Sequence, residues 1–157
     1  NSENDPFGDG GWWNIFQFKS KNNAGSQPVV SLDMYNQKGA MYLGLIIKDY
    51  TDDNSSDYNQ DYIEQSNPVA LKVGEWNHIE MYFEKASDYT AKIIVWQNGI
   101  KIFEKNNIRT VLPNDDTAQW GIGNYTDYVT GGKVPGTATI YFDDAIVSKI
   151  KISDYIH

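Results

Sequence analysis

The stretch KIIVWQNGIKIFEK, residues 92–105, decides the fold class. β-Branched and aromatic residues flank Asn98-Gly99 on both sides, as is typical of paired strands. Asn-Gly is the pair best suited to the positive φ angles of a two-residue type I′ turn. The stretch therefore predicts a β-hairpin with strands at 92–97 and 100–105. The preceding run, 76–84, alternates with period two and predicts a strand whose core face carries Asn77, Ile79, Met81 and Phe83.

Period-two patterns recur outward from this hairpin, and no long stretch has the spacing of an amphipathic helix. Further predicted strands are 12–19, 29–35, 40–48, 69–73, 118–124, 137–142 and 145–152. About ten short strands with polar turns predict an all-β, two-sheet antiparallel β-sandwich of jelly-roll type. Two segments without apolar periodicity, 49–67 and 126–136, are interpreted as long functional loops.

Length, charge and cysteine content exclude several classes of protein. The chain has 157 residues, 40% of them hydrophobic, which suits a single domain, 1–157. Its formal net charge is −8 and Arg109 is the only arginine, so nucleic acid is an unfavourable partner. No apolar run approaches the ~20 residues needed to span a bilayer, so membrane insertion is not expected. Cysteine is absent, and the two histidines cannot build a histidine-rich metal site.

Aromatic residues are the most distinctive feature of the composition, with five Trp and eleven Tyr. Aromatic side chains build β cores, and they also form flat platforms on which the apolar faces of sugar rings stack. Composition leaves both interpretations open.

Three places in the chain resemble the concanavalin A-like jelly-roll polysaccharide lyases, the group that contains heparinase-type, glucuronan and alginate lyases. WNIFQFKS at 13–20 is similar to the pattern W-x-I-x-Q-x-H/K. GEWNHIE at 74–80 and IVWQNG at 94–99 form the second place, and WGIGNY at 120–125 with TIYFDD at 139–144 forms the third. The resemblance implies a concave sheet that holds an extended sugar chain and, in the lyases, β-elimination across a uronic acid.

That chemistry needs donors that neutralise the substrate carboxylate, a base for the C5 proton and an acid for the leaving oxygen. The resemblance places Gln17 at the neutralising glutamine of the family and Tyr125 at its catalytic tyrosine. Lys19 stands where alginate lyases usually carry histidine, as a base or as an attraction for an anionic sugar. His78 is the internal histidine, a residue type suited to proton transfer near neutrality, although a structural role beside Trp76 is the favoured interpretation.

The sequence also departs from the family pattern. Gly121 stands where alginate lyases have lysine, and the arginine-bearing strand of the family has no counterpart in this chain. Two interpretations follow. Either the natural polypeptide extends upstream and contributes strands, which makes this upstream part a predicted partner, or catalysis is lost.

Alternation along 12–19 predicts that Trp12, Phe16 and Phe18 face the core while Trp13, Gln17 and Lys19 share the other face. The predicted carbohydrate-binding residues are Trp13, Gln17, Lys19, Glu80, Tyr82, Asn124, Tyr125 and Tyr128. A polar edge-strand face without a ligand is the alternative.

Two acidic stretches, 49–57 and Asp143-Asp144, carry the oxygen ligands that calcium prefers. The first lacks the glycine and the closing glutamate of a helix-loop-helix calcium loop. A solvated acidic loop and a structural pair are the favoured interpretations, so calcium stays an open alternative and no cofactor is expected to be required.

The sequence favours a non-catalytic carbohydrate-binding module of a secreted or cell-surface system that degrades polysaccharides. The alternative is a polysaccharide lyase for a uronic-acid-containing polymer, in which Gln17 holds the uronate and Tyr125 transfers a proton with Lys19 or His78. A third interpretation is an adhesion or structural sandwich without a glycan ligand.

Overall fold

The computed structural model describes residues 13–22, 25–50, 57–115, 119–126, 139–150 and 152. These residues form eight β-strands and no helix. The strands are β1 (Trp13–Asn22), β2 (Gly25–Gln37), β3 (Ala40–Tyr50), β4 (Tyr58–Ile63), β5 (Ile79–Phe83), β6 (Ala91–Gln97), β7 (Ile100–Ile108) and β8 (Gln119–Thr126). In the described part of the chain, therefore, no helix is long and apolar enough to cross a membrane.

The strands form two antiparallel sheets. One has five strands in the order β4-β3-β2-β1-β8, and the other has three in the order β5-β6-β7. The predicted all-β, two-sheet jelly-roll sandwich is confirmed. The hairpin at 92–105 is present as β6 and β7, with φ of 51° at Asn98 and 79° at Gly99, as a type I′ turn requires.

The core lies between the two sheets. β2 and β3 contribute Val30, Leu32, Leu43, Leu45 and Ile47, and the three-stranded sheet contributes Ile93, Val95, Ile102 and Phe103. At one side of the core the rings of Phe18 on β1 and Phe83 on β5 stack with centroids 3.6 Å apart. Because successive side chains of a strand point to opposite faces, every second residue of these strands points away from the core. We call the side of the five-stranded sheet that faces away from the core its outer face.

β4 was not predicted, because it lies within the segment 49–67 that was interpreted as a loop. Its sequence, YNQDYI, is polar, and it is an edge strand with a ladder partner in β3 alone. An edge strand with one face in solvent needs little apolar periodicity, so apolar alternation in the sequence does not indicate this strand.

The strands predicted at 69–73 and in the described part of 137–152 are wrong, because these residues belong to no sheet ladder. Leu71 makes an isolated backbone hydrogen bond to the Met41 carbonyl, at 2.7 Å, and does not extend it into a ladder. Asp144 has a φ of 50°, which interrupts an extended chain between the two predicted strands. The alternation in these segments therefore is not accompanied by strand pairing.

Candidate outer-face carbohydrate site

Gln17 lies on β1, between β2 and β8. It is paired with Ser31 on β2 and with Gly121 on β8. Its neighbours Phe16 and Phe18 pack against the core, so the half-buried Gln17 side chain belongs to the outer face. Gly121 carries no side chain, and a Cβ placed there would meet nothing within 4 Å. The β8 side of Gln17 is therefore open.

Lys19 lies two residues further along β1 and on the same face. It is paired with Gln119 on β8 and with Pro28 on β2. The next residue, Ser20, is buried on the core side, where its Oγ donates to Asp115 Oδ2 at 2.6 Å. Two residues of strand place the Lys19 and Gln17 backbones about 7 Å apart. An amide donor and an ammonium group thus stand side by side on the outer face.

Tyr125 lies on the neighbouring strand, β8, where it is paired with Asn14 of β1. Its side chain is 63% exposed. Asn14 is 7% exposed, and its Nδ2 donates a hydrogen bond of 2.9 Å to Oδ1 of Asp33 on β2. The partner of Asn14 in the ladder is also Asp33, which places all three residues on the outer face. The structure thus brings Gln17, Lys19 and Tyr125 together on one face of two adjacent strands.

The prediction that Trp13 shares this face is wrong. A β-bulge between Asn14 and Phe16 adds one residue to β1 and shifts the alternation. Trp13 is therefore paired with Met34, which packs against the core. Trp13 instead lines an open cleft of about 2190 Å³ between the sheets, together with Phe16 and Phe18.

Three other predicted residues, His78, Glu80 and Tyr82, lie in or next to β5 of the three-stranded sheet, away from Gln17 and Tyr125. The His78 backbone exchanges two hydrogen bonds of 2.8 Å with Asn98 of the hairpin turn. Glu80 Oε1 accepts a hydrogen bond of 2.9 Å from the Ile152 backbone. Their placement beside the groove is corrected, because the topology puts β5 and β1 in different sheets.

Three predicted residues cannot be placed, because Trp12, the Asn124 side chain and Tyr128 lie outside the described residues.

A tyrosine cluster on the outer face was not predicted. It consists of Tyr35, Tyr42, Ile46 and Tyr62, and it is separate from the core. The rings of Tyr35 and Tyr42 lie 5.8 Å apart, and burial raises the pKa of Tyr35. Ladder pairing connects the cluster to the site, since the row Gln17, Ser31, Ile46, Tyr62 crosses four strands. The signal that could have found it is the alternation of tyrosines with core residues in 29–35 and 40–48.

Asp49, the first residue of the acidic stretch 49–57, forms an ion pair and a hydrogen bond with other side chains of the protein. Asp49 Oδ1 accepts from Arg109 Nη2 at 2.6 Å, and its Oδ2 accepts from the Tyr89 hydroxyl at 2.8 Å. The second bond also raises the pKa of Tyr89. Arg109 also donates a hydrogen bond to the Tyr50 carbonyl. The pKa of the Tyr50 hydroxyl is raised to about 12, mainly by burial and to a smaller extent by the neighbouring Tyr58. Asp49 therefore joins β3 to the end of β7 as an ion-pair partner.

Residues 51–56 lie outside the described part of the chain, so the rest of this stretch cannot be placed. At the second acidic site, the Asp144 backbone donates a hydrogen bond of 2.9 Å to Asp143 Oδ1. Across the residues that the structure describes, no three His, Asp or Glu side chains gather in a group that could hold a metal ion.

Comparisons with known proteins identify the family and the fold. The sequence model of the family described as polysaccharide lyase matches residues 2–145. A solved structure, the endo-β-1,4-glucuronan lyase from the fungus Trichoderma reesei, matches with a TM-score of 0.57 and 20% sequence identity over 86% of this chain. The chain spans 57% of the length of that enzyme. No curated protein matches. The family match covers nearly the whole sequence, so this chain belongs to the polysaccharide lyase family.

Proposed function

We propose that the outer face of the five-stranded sheet binds a uronic-acid-containing polysaccharide, and that the natural polypeptide cleaves it by β-elimination. The observation that carries the proposal is the placement of Gln17 and Tyr125 on one face of adjacent strands, with Lys19 beside Gln17. Family membership supports a polysaccharide as the substrate. The solved relative is a glucuronan lyase, and glucuronan is a polymer of the same chemical class.

In this reaction a base removes the C5 proton, and the electron pair of the C5–H bond forms a C4–C5 double bond. The C4–O bond breaks, and the leaving oxygen takes a proton. Negative charge develops on the uronate carboxylate during the proton transfer, so an amide N–H donor stabilises the transition state. Gln17 supplies that donor in our proposal. The Tyr125 side chain, in its deprotonated form, takes the C5 proton and then gives it to the leaving oxygen, so that one group serves as base and acid in turn.

Lys19 gives the site a local positive charge in a protein whose net charge is −8. We propose that it attracts the anionic polymer, since an attractive local potential raises the concentration of a charged substrate at the site. The Gln17 amide and the Lys19 ammonium group then offset the negative charge of the substrate carboxylate. We therefore propose that no metal cofactor, calcium included, is required. Activity lost on chelation and restored by calcium would contradict this.

We further propose that the protein acts outside the cell, either secreted or at the cell surface, because an extended polysaccharide does not cross membranes. The test is fractionation of the source cells. Detection of the protein only inside the cells would contradict an extracellular role.

The test uses the chain and the natural polypeptide on a panel of polyglucuronate, alginate and heparan sulfate, and follows the near-ultraviolet absorbance of the unsaturated product. We expect a rise with at least one polymer. Replacement of Gln17 by Leu is expected to lower the rate ~100-fold or more, as when an oxyanion donor is removed. Gln37→Leu, at the exposed end of β2, is the matched control and should leave the rate unchanged. No absorbance rise with any polymer would overturn the lyase proposal.

A second candidate function is non-catalytic binding of a polysaccharide. The observation that favours it is the tyrosine cluster on the outer face, because half-buried rings such as Tyr42 and Tyr62 suit stacking against sugars. Isothermal titration that shows binding without product formation would support this candidate. Absence of binding to every polymer would remove it.

A further inference from the structure

We propose that Asn14 and Asp33 are positioning residues that fix the side chain of Tyr125 from within the sheet. The inference rests on the proposed function, since it assigns to the pair the orientation of the group that transfers the proton.

The first step is the register of the strands. Asp33 of β2 is paired with Asn14 of β1, and Asn14 is paired with Tyr125 of β8. Side chains of directly paired residues share a face, with Cβ atoms about 4.5–5.5 Å apart. A carboxylate, an amide and a phenol therefore stand in one row that crosses three adjacent strands.

The second step is the gradient of exposure along that row. Asp33 is 3% exposed, Asn14 is 7% exposed and Tyr125 is 63% exposed. The row thus begins in a buried carboxylate and ends in a phenol that reaches solvent. Only the last member is open to a substrate, so the first two act through it.

The third step is the hydrogen bond between the two buried members. Asn14 Nδ2 donates to Asp33 Oδ1 at 2.9 Å, and both side chains are buried, so water does not compete for this bond. This bond fixes the plane of the Asn14 amide. The amide carbonyl and the second N–H are then held in one orientation beside the residue paired with Asn14 on β8, which is Tyr125.

The β-bulge after Asn14 explains how the row coexists with an apolar core. In a regular strand without the bulge, Asn14 and Phe16 would share a face, and either the amide would enter the core or the ring would leave it. The bulge lets Asn14 point outward while Phe16 packs inward. A fold that served only to fill its core would not need an amide and a buried carboxylate at these positions.

The test combines kinetics with a measurement of Tyr125 itself. We label the protein with 3-fluorotyrosine, assign the Tyr125 fluorine resonance by its loss in Tyr125→Phe, and compare wild type with Asn14→Ala, Asp33→Leu and Asp33→Asn. Asn14→Ala and Asp33→Leu are expected to shift or broaden the Tyr125 line. On a cleaved polymer they should lower kcat ~10- to 100-fold, with KM within about twofold, since a misplaced group loses mainly transition-state stabilisation.

Asp33→Asn keeps an oxygen that can accept the Asn14 hydrogen bond, so we expect it to retain the wild-type line and a kcat within about threefold. It also serves as the variant that folds if Asp33→Leu does not. Asn106→Ala and Asp61→Asn, exposed residues of β7 and β4, are matched controls that should change neither readout.

An unchanged Tyr125 line in Asn14→Ala would overturn the positioning role, whatever the activity. Equal losses for Asp33→Asn and Asp33→Leu would also overturn it, because the hydrogen bond would then not be the cause. If the wild type cleaves none of the polymers, the proposed function fails, while the fluorine line still decides whether the row orients Tyr125.

Discussion

The outer sides of the two sheets hold their polar groups in different ways. On the five-stranded sheet Asn14 and Asp33 are buried and joined by a hydrogen bond of 2.9 Å. On the three-stranded sheet Glu104 pairs with Lys92 at 2.7 Å and also with Lys101, all three partly exposed. Shielded polar pairs have fixed geometry and strong electrostatics, whereas exposed pairs are screened by water and salt. We therefore expect the polar side chains of the five-stranded sheet to be held in a more fixed geometry than those of the three-stranded sheet.

The sharpest way to break this comparison is a matched pair of tyrosine variants. Tyr125→Phe removes an outer-face hydroxyl from the five-stranded sheet, and Tyr82→Phe removes one from the three-stranded sheet, where Tyr82 is 47% exposed. We expect Tyr125→Phe to lower kcat ~100- to 10,000-fold, since it removes a proton-transfer group. Tyr82→Phe should leave kcat unchanged. The measurement is product absorbance with a polymer that the wild type cleaves, and equal losses for both variants would contradict the assignment.

A second comparison concerns the centre and the edge of the five-stranded sheet. Leu45 on β3 is fully buried, whereas Ile122 on the edge strand β8 is 41% exposed. Leu45→Ala should lower the free energy of unfolding by about 2–5 kcal/mol, through lost apolar burial and the cavity left behind. Ile122→Ala should cost about 1 kcal/mol or less, because less apolar surface returns to water. Urea unfolding measures both, and a larger cost at Ile122 would show that the edge is packed more tightly than the structure indicates.

The smallest expected effect lies in the charge pairs of the three-stranded sheet. Hydrogen bonds from Lys101 and Lys92 lower the pKa of Glu104 from 4.5 to about 2. A pKa that is lower in the folded chain means that the ionised form favours folding. This contribution is complete above the unfolded pKa and is lost as the pH falls through the folded value.

We therefore expect wild type to be slightly more stable than Glu104→Gln at neutral pH, and the difference to disappear toward pH ~2 or in high salt. Urea unfolding across this pH range measures it. An NMR titration that returns an ordinary pKa for Glu104 would show that the pairs do not persist in solution.

The strands around the core were predictable because their patterns are local. The hairpin at 92–105 follows from the Asn98-Gly99 turn and the flanking strand formers, and Ile79, Met81 and Phe83 do pack on the core as alternation predicts. β4 was missed, since an edge strand with a polar sequence gives no periodic signal. The strand predicted at 69–73 illustrates the opposite error. Its residues alternate in polarity, but they pair with no other strand.

The candidate site was predictable only in part, and Trp13 shows why. Simple alternation puts Trp13 with Gln17, but one added residue in the bulge turns Trp13 to the opposite face. A bulge depends on the pairing of β1 with β2, which no local pattern records. The same holds for His78, which directly precedes β5: the strand could be predicted from alternation, whereas the sheet to which it belongs could not.

The sequence by itself determined the all-β class, the hairpin at its centre and the resemblance to polysaccharide lyases, because propensity, alternation and motifs are properties of short segments. The tertiary structure alone decided which functional groups meet. Asp33, Asn14 and Tyr125 come from three distant parts of the chain, and only strand order and register bring them into one row. Register is fixed by the burial of whole faces, which is a property of the entire sheet and of no single segment.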